Sequence, residues 1–485
     1  MRRFVHLSLA LLPLALTAAD SPSPVTSRPL PAPPPAPWLL SKEERQRQDQ
    51  LAHTDRQRLM DLLGVREPTD LPPEESDPKR PAGLSRPPNN PNGWTDAAGH
   101  FVVRSPWGNW INYDLAKAAT GPLPDPLRLA DGTLVTDAST WWSRRRPELV
   151  ELFAREIYGR IPSETPKVTF EVVATESSAD GKVRTRKIVG WIDNSRHPAP
   201  APAIVLKLHL PVAAAGPVPV MVSIGDFQPP PGFPKPPGPS AKDLVLARGW
   251  GYATYDPYLV QADTGAGLTA GIIGLVNEGR PRTPDQWGAL AAWSWGLSRV
   301  IDFLETDPAV DARRLAVEGH SRFGKTALLA AALDQRWAAV YASCSGASGA
   351  KLHRHDFGES VDIVAWGGEY HWMAGNFLKY AGNWSALPID QHELIALVAP
   401  RPLLVTGGTE DLWPDPVGMF QACVAAGPVY RLLGRADLGT TEMPAPDVAL
   451  TAGDLAFRLH TGGHTDLPDW PAFLDFAARH FATTP

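Results

Sequence analysis

The stretch VEGHSRFGKTAL, from Val317 to Leu328, fits two incompatible kinds of protein. Residues 319–326 follow G-x-x-x-x-G-K-T, the pattern of a phosphate-binding loop in which Lys325 reaches the phosphates and Thr326 binds magnesium. The same letters place Ser321 two residues after a glycine, between a strand-like run and a helix-like run. That setting is typical of the nucleophile of an esterase. The rest of the chain decides whether this segment holds a nucleotide or cuts an ester.

The first twenty residues, MRRFVHLSLALLPLALTAAD, predict export. Two arginines precede an apolar run from Phe4 to Leu16, and small residues follow it. This is the pattern of a signal peptide, and we place the cleavage after Ala19. The run is too short for a stable membrane span, so we expect a periplasmic or secreted protein without a membrane partner. An exported protein meets little ATP, which counts against a phosphate-binding loop.

Composition is that of an ordinary soluble globular protein. The chain has 485 residues, of which 43% are hydrophobic and 20% charged. A formal net charge of −6 favours neither a nucleic-acid partner nor an anionic membrane surface. Cys344 and Cys423 are the two cysteines, which excludes a disulfide framework and leaves a single bridge open. Seventeen tryptophans, mostly expected in the core, favour a carbohydrate ligand weakly.

The chain divides into four segments. Eight prolines between Pro22 and Pro37 predict an extended linker. Ser41 and Glu44 form a capping-box pattern for a polar surface helix that ends at Gly64. After that helix the chain is rich in proline and acidic residues, which predicts irregular structure. We therefore assign a signal peptide to residues 1–19, a linker to 20–40, an N-terminal helix with an irregular extension to 41–121, and the folded catalytic domain to 122–485.

Apolar strand-like runs alternate with helix-like runs in the last segment. The first two strands should pair antiparallel, and Val218–Phe227, which is largely apolar, should be central. Alternation of this kind predicts an α/β fold, a three-layer sandwich with a mostly parallel central sheet covered on both faces. The predicted strands are 168–177, 185–194, 203–211, 218–227, 251–255, 314–319, 338–344, 402–407 and 455–460. The predicted helices are 242–248, 287–305, one from about Gly324, and 470–481.

A catalytic triad in the chain order of α/β-hydrolases is present. In this order the nucleophile is followed by an acid and then a histidine, each after a later strand. Glu410 and Asp411 follow the run PLLVTG, and His464 follows LAFRLH. We therefore interpret Ser321, Asp411 and His464 as nucleophile, acid and base, with Glu410 as the alternative acid.

The competing histidines and carboxylates have structural interpretations. His460 lies inside a predicted strand, and Asp390 is interpreted as a helix N-cap. The remaining histidine candidates precede the acid in the chain; they are His353, His355, His371 and His392.

The phosphate-binding loop fails a second requirement. Such a loop needs a downstream apolar strand that ends in aspartate and positions the magnesium ion. The best match, GYATYD ending at Asp256, lies upstream. An esterase is therefore the preferred interpretation.

The segment Gly319–Lys325, G-H-S-R-F-G-K, resembles the G-x-S-R-x-G-K of glucuronoyl esterases in carbohydrate esterase family 15. It has Phe323 where the usual nucleophile turn has glycine, and Arg322 directly after the serine. Four other blocks resemble bacterial members, so the similarity extends from about Leu123 to the C-terminus. They are RRPELVELFAREIYGRIP from Arg145, LPIDQHELIALVAPRPLLV from Leu387, TEDLWPDPVG from Thr409 and GGHTDLPDWPAFLDF from Gly462.

The resemblance implies an α/β-hydrolase that cuts esters of (4-O-methyl)glucuronic acid on xylan, as in lignin–carbohydrate links. Ser321 would be the nucleophile and His464 the base, with the Arg322 guanidinium in the oxyanion site. A backbone N–H near Asp226 or Phe227 would be the second oxyanion donor. The family uses no metal and no cofactor. We expect the same here, with a monomer acting on glucuronoxylan or a lignin–carbohydrate ester.

The resemblance also implies that Lys325, Glu359 and Trp413 contact the uronic sugar. Structural interpretations of these residues remain: Lys325 as a solvated helix residue, Glu359 as a cap and Trp413 as packing. Arg322 could likewise belong to a surface ion pair.

Two positions depart from the family pattern. Many members carry E-S-G after the strand that follows the nucleophile helix, and this chain has Cys344-Ser345-Gly346. Because a thiol cannot replace a carboxylate beside an imidazolium, the acid must come from the Asp411 loop. A glutamine common in the family is missing from Trp366–Gly368. Fine substrate preference therefore stays open, as do an acetyl xylan or other small-ester deacetylase and an inactive sugar-binding relative.

Overall fold

A ten-stranded sheet forms the centre of the computed structural model, which describes residue 29 and the ranges 39–86, 93–198, 201–225 and 238–482. The predicted signal peptide and most of the predicted linker lie outside these residues. A two-stranded hairpin, β1 and β2, precedes the main sheet. The strands are β1 Trp94–Thr95, β2 Phe101–Val102, β3 Val168–Ser177, β4 Val183–Ile192, β5 Ala203–Pro211, β6 Val218–Ile224, β7 Gly251–Asp256, β8 Val310–His320, β9 Ala339–Ser343, β10 Leu403–Gly408, β11 Ala449–Leu450 and β12 Leu455–His460.

Eleven α-helices lie in the described ranges, several of them extended by short π- or 3₁₀-helical turns. None of these helices has both the length and the apolar character needed to cross a bilayer. The helices are α1 Lys42–Leu63, α2 Ala138–Thr140, α3 Arg146–Phe153, α4 Ala241–Ala247, α5 Gly271–Val276, α6 Ala289–Leu304, α7 Arg322–Leu333, α8 Val361–Trp366, α9 Gln391–Val398, α10 Pro416–Leu432 and α11 Trp470–Ala482.

The main sheet is mostly parallel, which confirms the predicted fold class. Its strand order is β11-β12-β10-β9-β8-β6-β7-β5-β4-β3. The six strands from β12 to β7 run parallel, and β3, β4, β5 and β11 add antiparallel edges. The predicted central strand is β6, which is buried along its whole length between β8 and β7. Its prediction extended to Phe227, and residues 226 and 227 lie outside the described ranges.

Alternate residues of the central strands fill two separate cores. On β6, Val220 and Val222 belong to the large core beneath α6 and α7, whereas Met221 belongs to the smaller core beneath α4 and α11. This follows from the two-residue period of a strand, whose side chains alternate between the faces of the sheet. Nine tryptophans are buried among the described residues, in agreement with the expectation that most of the seventeen are structural: Trp94, Trp141, Trp250, Trp287, Trp293, Trp295, Trp337, Trp372 and Trp470.

The N-terminal helix α1 lies on the surface, as its polar sequence predicts. Ser41 Oγ accepts a hydrogen bond from the Glu44 amide at 3.0 Å, and Gly64 ends the helix with a φ of 68°. The predicted reciprocal bond of the capping box is not formed. The Glu44 carboxylate instead accepts from the Arg47 guanidinium, a charged donor one turn away.

The extension after α1 builds a small apolar cluster of its own. Trp94, Val102 and Ile111 are buried together, and Trp413 packs against them. Because Trp413 follows β10, this cluster joins residues 93–113 to the edge of the sheet where parallel strands end.

The two cysteines are buried and free. The disulfide that the sequence left open is therefore not formed. Asp390 caps α9 in a capping box with Glu393, which confirms its structural interpretation.

Candidate active site

Ser321 lies in a sharp turn between β8 and α7. Its φ of 58° and ψ of −126° are unusual for a residue with a side chain, and its amide donates to Ser343 O on β9 at 2.9 Å. The turn depends on two close backbone approaches. A Cβ at Gly319 would lie 2.0 Å from Phe323 O, and one at Gly324 would lie 2.7 Å from Ser343 O. Such a strained strand–helix turn lifts a serine hydroxyl above the sheet.

Phe323 occupies the position where such turns usually have glycine. Its ring packs against Tyr258 and Trp293, with centroids 5.8 and 5.9 Å away. Gly225, with a φ of 88°, makes room for it, because a Cβ there would lie 2.6 Å from the Phe323 ring. The turn therefore tolerates phenylalanine because a second glycine, at the end of β6, replaces the missing one.

His464 and Asp411 form a hydrogen-bonded pair. His464 Nδ1 lies 2.6 Å from Asp411 Oδ2, and the side chains are 42% and 8% exposed respectively. Glu410, the alternative acid, is exposed and contributes its amide to Gly462 O at 2.8 Å. The carboxylate assigns the proton to Nδ1 and leaves Nε2 as the acceptor.

In the described part of the chain, Ser321 Oγ and His464 Nε2 are not hydrogen-bonded to each other. Catalytic hydrogen bonds of ligand-free enzymes are often long and tighten when substrate binds. The His464 side chain is 42% exposed, so its Nε2 faces the side from which substrate enters.

A second histidine packs against His464. The ring centroids of His320 and His464 are 4.3 Å apart, and His320 Nδ1 lies 3.2 Å from Ser343 Oγ. Burial, together with smaller effects of His464 and His460, lowers the pKa of His320 to about 3. His320 is therefore a neutral ring at working pH, which positions His464 without adding a second positive charge.

Two carboxyl groups lie near the loop that carries His464. Glu318, buried on β8, accepts a hydrogen bond from Ser223 Oγ at 2.6 Å. Burial raises its pKa well above the usual value, and the charge of Asp466, two residues after His464, raises it further. Asp466 accepts a hydrogen bond from Trp470 Nε1 at 2.8 Å.

Arg322 is held in place by Asp263, in the segment after β7. Arg322 Nη1 donates to Asp263 Oδ2 at 2.5 Å, and the guanidinium lies 5.1 Å from the Trp372 ring. The other Asp263 oxygen accepts from His371 Nε2 at 2.9 Å and from Trp372 Nε1 at 2.6 Å. Desolvation disfavours the Arg322 charge, but Asp263 more than offsets it and the pKa is raised. With 42% of its side chain exposed, Arg322 remains available to a ligand.

Lys325 points into the protein. Its ammonium group donates to Ser345 O at 2.8 Å, to Ala347 O at 2.6 Å and to Glu359 Oε2 at 2.8 Å, which uses all three N–H bonds. The Thr326 hydroxyl donates to Arg322 O at 3.0 Å and is buried. The groups that would bind phosphate and magnesium are thus consumed internally, which excludes the phosphate-binding loop.

Glu359 and Trp413 lie together, since the Glu359 amide donates to Trp413 O at 2.7 Å. Glu359 Oε2 accepts from Lys325 and from the Ala347 amide, so Oε1 is the oxygen left for a ligand hydroxyl. Trp413 is half-buried. Lys325 therefore orients Glu359, and the contact of Lys325 with the sugar that the resemblance implies stays a prediction.

Known proteins with a similar sequence are carbohydrate esterases and glucuronoyl esterases. A family model described as glucuronyl esterase, fungi, matches residues 202–434. A carbohydrate esterase, MZ0003, from an unknown prokaryotic organism is 34% identical over 414 residues, which are 76% of this chain and 92% of that protein. A 4-O-methyl-glucuronoyl methylesterase of Wolfiporia cocos is 32% identical and covers 65% of this chain and 73% of its own length.

Solved structures agree with these relatives. A carbohydrate esterase family 15 glucuronoyl esterase from Teredinibacter turnerae has a TM-score of 0.76 at 38% identity, and the match covers 89% of this chain and all of that one. A glucuronoyl esterase from Solibacter usitatus has a TM-score of 0.68 at 34% identity, covering 76% of this chain and all of the other. The chain belongs to carbohydrate esterase family 15.

Within this family, Cys344 is the clearest departure. It directly follows β9, is buried, and adopts a positive φ of 46°. Burial raises the pKa of its thiol well above the usual value, and the neighbouring Asp411 carboxylate raises it further. The thiol is thus protonated at neutral pH, and among the three candidates the structure places Asp411, rather than Cys344 or Glu410, on His464.

Several residues near the family 15 site were missed by sequence reasoning. Asp263 follows a parallel strand, so its position at a strand end was a usable signal. Glu369, just after Trp366–Gly368, has a pKa raised by burial and then by the charge of Glu359, which places it near the expected sugar contact. Tyr113 of the extension packs against the same apolar cluster as Trp413, and the charges of Asp96, Glu359 and Asp411 add to the burial that raises its pKa. No sequence pattern marks Glu369 or Tyr113.

The predicted second oxyanion donor near Asp226 or Phe227 lies outside the described residues.

Proposed function

We propose that the chain hydrolyses esters of (4-O-methyl)glucuronic acid through an acyl-enzyme on Ser321. The observation that carries this proposal is the Arg322 guanidinium, anchored by Asp263 directly after a nucleophile turn, in a family 15 chain that also has the His464–Asp411 pair. A fixed, partly exposed cation beside the nucleophile suits a reaction that develops negative charge on a carbonyl oxygen.

The first half of the reaction forms the acyl-enzyme. Ser321 Oγ attacks the ester carbonyl carbon while its proton passes to His464 Nε2. Asp411, bonded to Nδ1, holds the reactive tautomer and stabilises the imidazolium. The carbonyl π electrons move onto the oxygen, which becomes an oxyanion beside Arg322. When the tetrahedral intermediate collapses, the C–O bond to the alcohol breaks, and His464 gives its proton to the leaving oxygen.

The second half releases the uronic acid. Water gives a proton to His464 Nε2 and attacks the acyl carbon, and a second tetrahedral intermediate forms beside Arg322. Its collapse breaks the bond to Ser321 Oγ, which regains the proton from His464.

Hydrogen bonds to the oxyanion contribute strongly to kcat. Removal of a single oxyanion donor from a hydrolase costs on the order of 10²- to 10³-fold in kcat. The bonds of Asp263 to Arg322, His371 and Trp372 keep the guanidinium in place before substrate arrives, so little reorganisation is needed during the reaction.

Sugar recognition falls to the neighbouring group of Glu359, Trp413 and Glu369. Glu359 Oε1 can accept a hydrogen bond from a sugar hydroxyl, because Lys325 and the Ala347 amide engage only Oε2. Trp413, half-buried against the extension, offers an indole to the sugar ring. Lys325 supports this recognition through Glu359.

The assay that tests the proposal compares three substrates: benzyl or methyl glucuronate, acetylated xylan and p-nitrophenyl acetate. We expect the glucuronate ester to have the highest kcat/KM and Ser321→Ala to abolish its turnover. Acetyl esters turned over as well as glucuronate esters would instead identify a deacetylase, which has no need of Arg322 beside the nucleophile. Absence of turnover on all three, with retained sugar binding, would identify an inactive relative.

We further propose export, from the N-terminal sequence alone, with xylan side chains or lignin–carbohydrate esters as the natural substrate and a monomer as the working form. Export predicts that the mature protein recovered outside the cytoplasm begins at Asp20, which N-terminal sequencing measures. A mature protein that begins at Met1 would contradict it.

A further inference from the structure

Three side chains that zinc favours lie together at the ends of three neighbouring strands. β9, β10 and β12 are adjacent and parallel, so their carboxyl ends meet at one edge of the sheet. Cys344 follows β9, Asp411 follows β10 and His464 follows β12. One possible ligand atom from each residue lies within 4.8 Å of the other two. The fold therefore assembles a sulfur, an oxygen and a nitrogen ligand in one place.

Small movements would complete a tetrahedral site. Zinc binds sulfur at about 2.3 Å and nitrogen or oxygen at about 2.0 to 2.2 Å, which puts its ligand atoms roughly 3.5 Å from one another. His464 Nδ1 and Asp411 Oδ2 are already 2.6 Å apart and would have to separate. Cys344 Sγ, which lies 3.8 Å from Thr465 O, would approach by about 1 Å at most. Because the His464 ring is 42% exposed, it can make room and lets an ion enter from solvent.

The chemistry of the three ligands selects zinc over the common hard cations. Thiolate and imidazole favour zinc, whereas magnesium and calcium favour oxygen ligands alone. One thiolate and one carboxylate neutralise the charge of a divalent ion, which is favourable at a site where Cys344 and Asp411 are buried. Three protein ligands also leave the fourth zinc position for water.

We propose that Cys344, Asp411 and His464 bind a zinc ion that inhibits the enzyme reversibly. This inference rests on the proposed function, because it takes His464 as the base. On binding, the Cys344 thiol loses its proton to solvent and its sulfur bonds to zinc. The His464 proton moves from Nδ1 to Nε2 through solvent, and the freed Nδ1 lone pair bonds to zinc. The imidazole proton must then reside on Nε2. An imidazole protonated at Nε2 cannot accept the Ser321 proton, so the nucleophile is no longer activated.

Cobalt titration tests the site without any substrate. Co²⁺ takes zinc sites readily, and a bound thiolate gives it a sulfur-to-cobalt charge-transfer absorption. We expect one equivalent of Co²⁺ to produce this absorption in the wild-type protein. We expect it also in Cys423→Ala, the matched control that removes the other buried cysteine, and not in Cys344→Ala. No absorption in the wild type, or an equal absorption in Cys344→Ala, would overturn the proposal.

Inhibition is measured on a glucuronate ester. Zinc should inhibit the wild type, a chelator should restore activity, and the same concentration of magnesium should have no effect. Cys344→Ala and Cys344→Ser should keep wild-type basal activity and require more than about 10-fold more zinc for the same inhibition. Equal zinc sensitivity of the wild type and both variants would overturn the proposal. If no glucuronate ester is hydrolysed at all, the proposed function fails, whereas the cobalt titration still decides on the site.

Discussion

Among the described residues near Ser321, three carboxylates are each hydrogen-bonded to a basic side chain, and these pairs are of two kinds. The rim pairs, His464–Asp411 and Arg322–Asp263, each join a mostly buried carboxylate to a partner that is 42% exposed. The buried pair, Lys325–Glu359, exposes only 4% and 8% of its side chains. In a rim pair the carboxylate holds the catalytic side chain, His464 or Arg322, while that side chain stays exposed to substrate. In the buried pair, all three N–H groups of Lys325 bind protein oxygens, and only Oε1 of Glu359 is left for a ligand.

The contrast is sharpest on α7, where Arg322 and Lys325 lie about one turn apart. Helical spacing alone puts both cations on neighbouring faces near the nucleophile. The two cations differ because the loop after β9 accepts hydrogen bonds from Lys325 at the carbonyl oxygens of Ser345 and Ala347. The role of a lysine in a motif is therefore identified by the acceptors that its three N–H groups reach.

The largest effect is expected from the first rim pair. Asp411→Asn keeps the shape but presents an amide, which favours the wrong imidazole tautomer, so kcat on a glucuronate ester should fall on the order of 10⁴-fold. Glu410→Gln, which alters the exposed neighbouring carboxylate, is the matched control and should leave kcat unchanged.

Substitutions of Cys344 give a second test of Asp411 as the triad acid. Cys344→Glu should partly rescue Asp411→Asn, because it restores a carboxylate next to His464 on the neighbouring strand, whereas Cys344→Ala should be nearly silent. If Asp411→Asn keeps more than about a tenth of wild-type kcat, a barrier change of only about 1.4 kcal/mol, Asp411 is not the acid.

The second rim pair should give an intermediate effect. Arg322→Ala removes an oxyanion donor, so kcat should fall on the order of 10²- to 10³-fold with little change in KM. Asp263→Asn should reduce kcat less, because the guanidinium remains but loses its anchor. Both are measured as kcat and KM on benzyl glucuronate together with the melting temperature.

Lys325→Met is the control for Arg322→Ala, and it should behave in the opposite way. Removal of one partner from a buried ion pair leaves an unpaired charge and costs about 3 to 5 kcal/mol of unfolding free energy. We therefore expect a clear loss of melting temperature for Lys325→Met and almost none for Arg322→Ala. Equal losses of stability, or equal losses of kcat, would remove the distinction between rim pair and buried pair.

The sequence predicted most of the sheet and the order of the triad, because both depend on local patterns. β3, β5 and β12 have the predicted bounds, since each is a single run of apolar or alternating residues. Ser321, Asp411 and His464 follow strand ends, which the hydrolase order makes recognisable.

Long-range partners could not be predicted in this way. The anchor of Arg322 lies about sixty residues earlier in the chain, and its other bonds go to His371 and Trp372. The burial of Lys325 depends on the path of a loop without regular structure, which no pattern in G-H-S-R-F-G-K contains. The capping-box prediction at Ser41 was half wrong because Arg47 competes for the Glu44 carboxylate.

The smallest effect is expected from Glu318, whose neighbour Asp466 is another carboxyl. Burial is the largest influence on the pKa of both carboxyl groups, whereas each pair near Ser321 joins a carboxylate to a basic side chain. Burial raises the pKa of both groups, so the folded protein binds more protons here than the unfolded chain does above about pH 4. With the folded pKa raised, the stability from this pair is fully present at low pH. It declines as pH rises from the unfolded pKa towards the folded one.

Glu318→Gln cannot ionise and keeps an acceptor for Ser223, so its melting temperature should decline less than that of the wild type between about pH 5 and pH 8. The difference should amount to a few degrees in a protein of this size. Glu410→Gln, at an exposed carboxylate, should follow the wild type over the same range. If Glu318→Gln and the wild type lose stability in parallel, Glu318 is not protonated in the folded protein over this pH range.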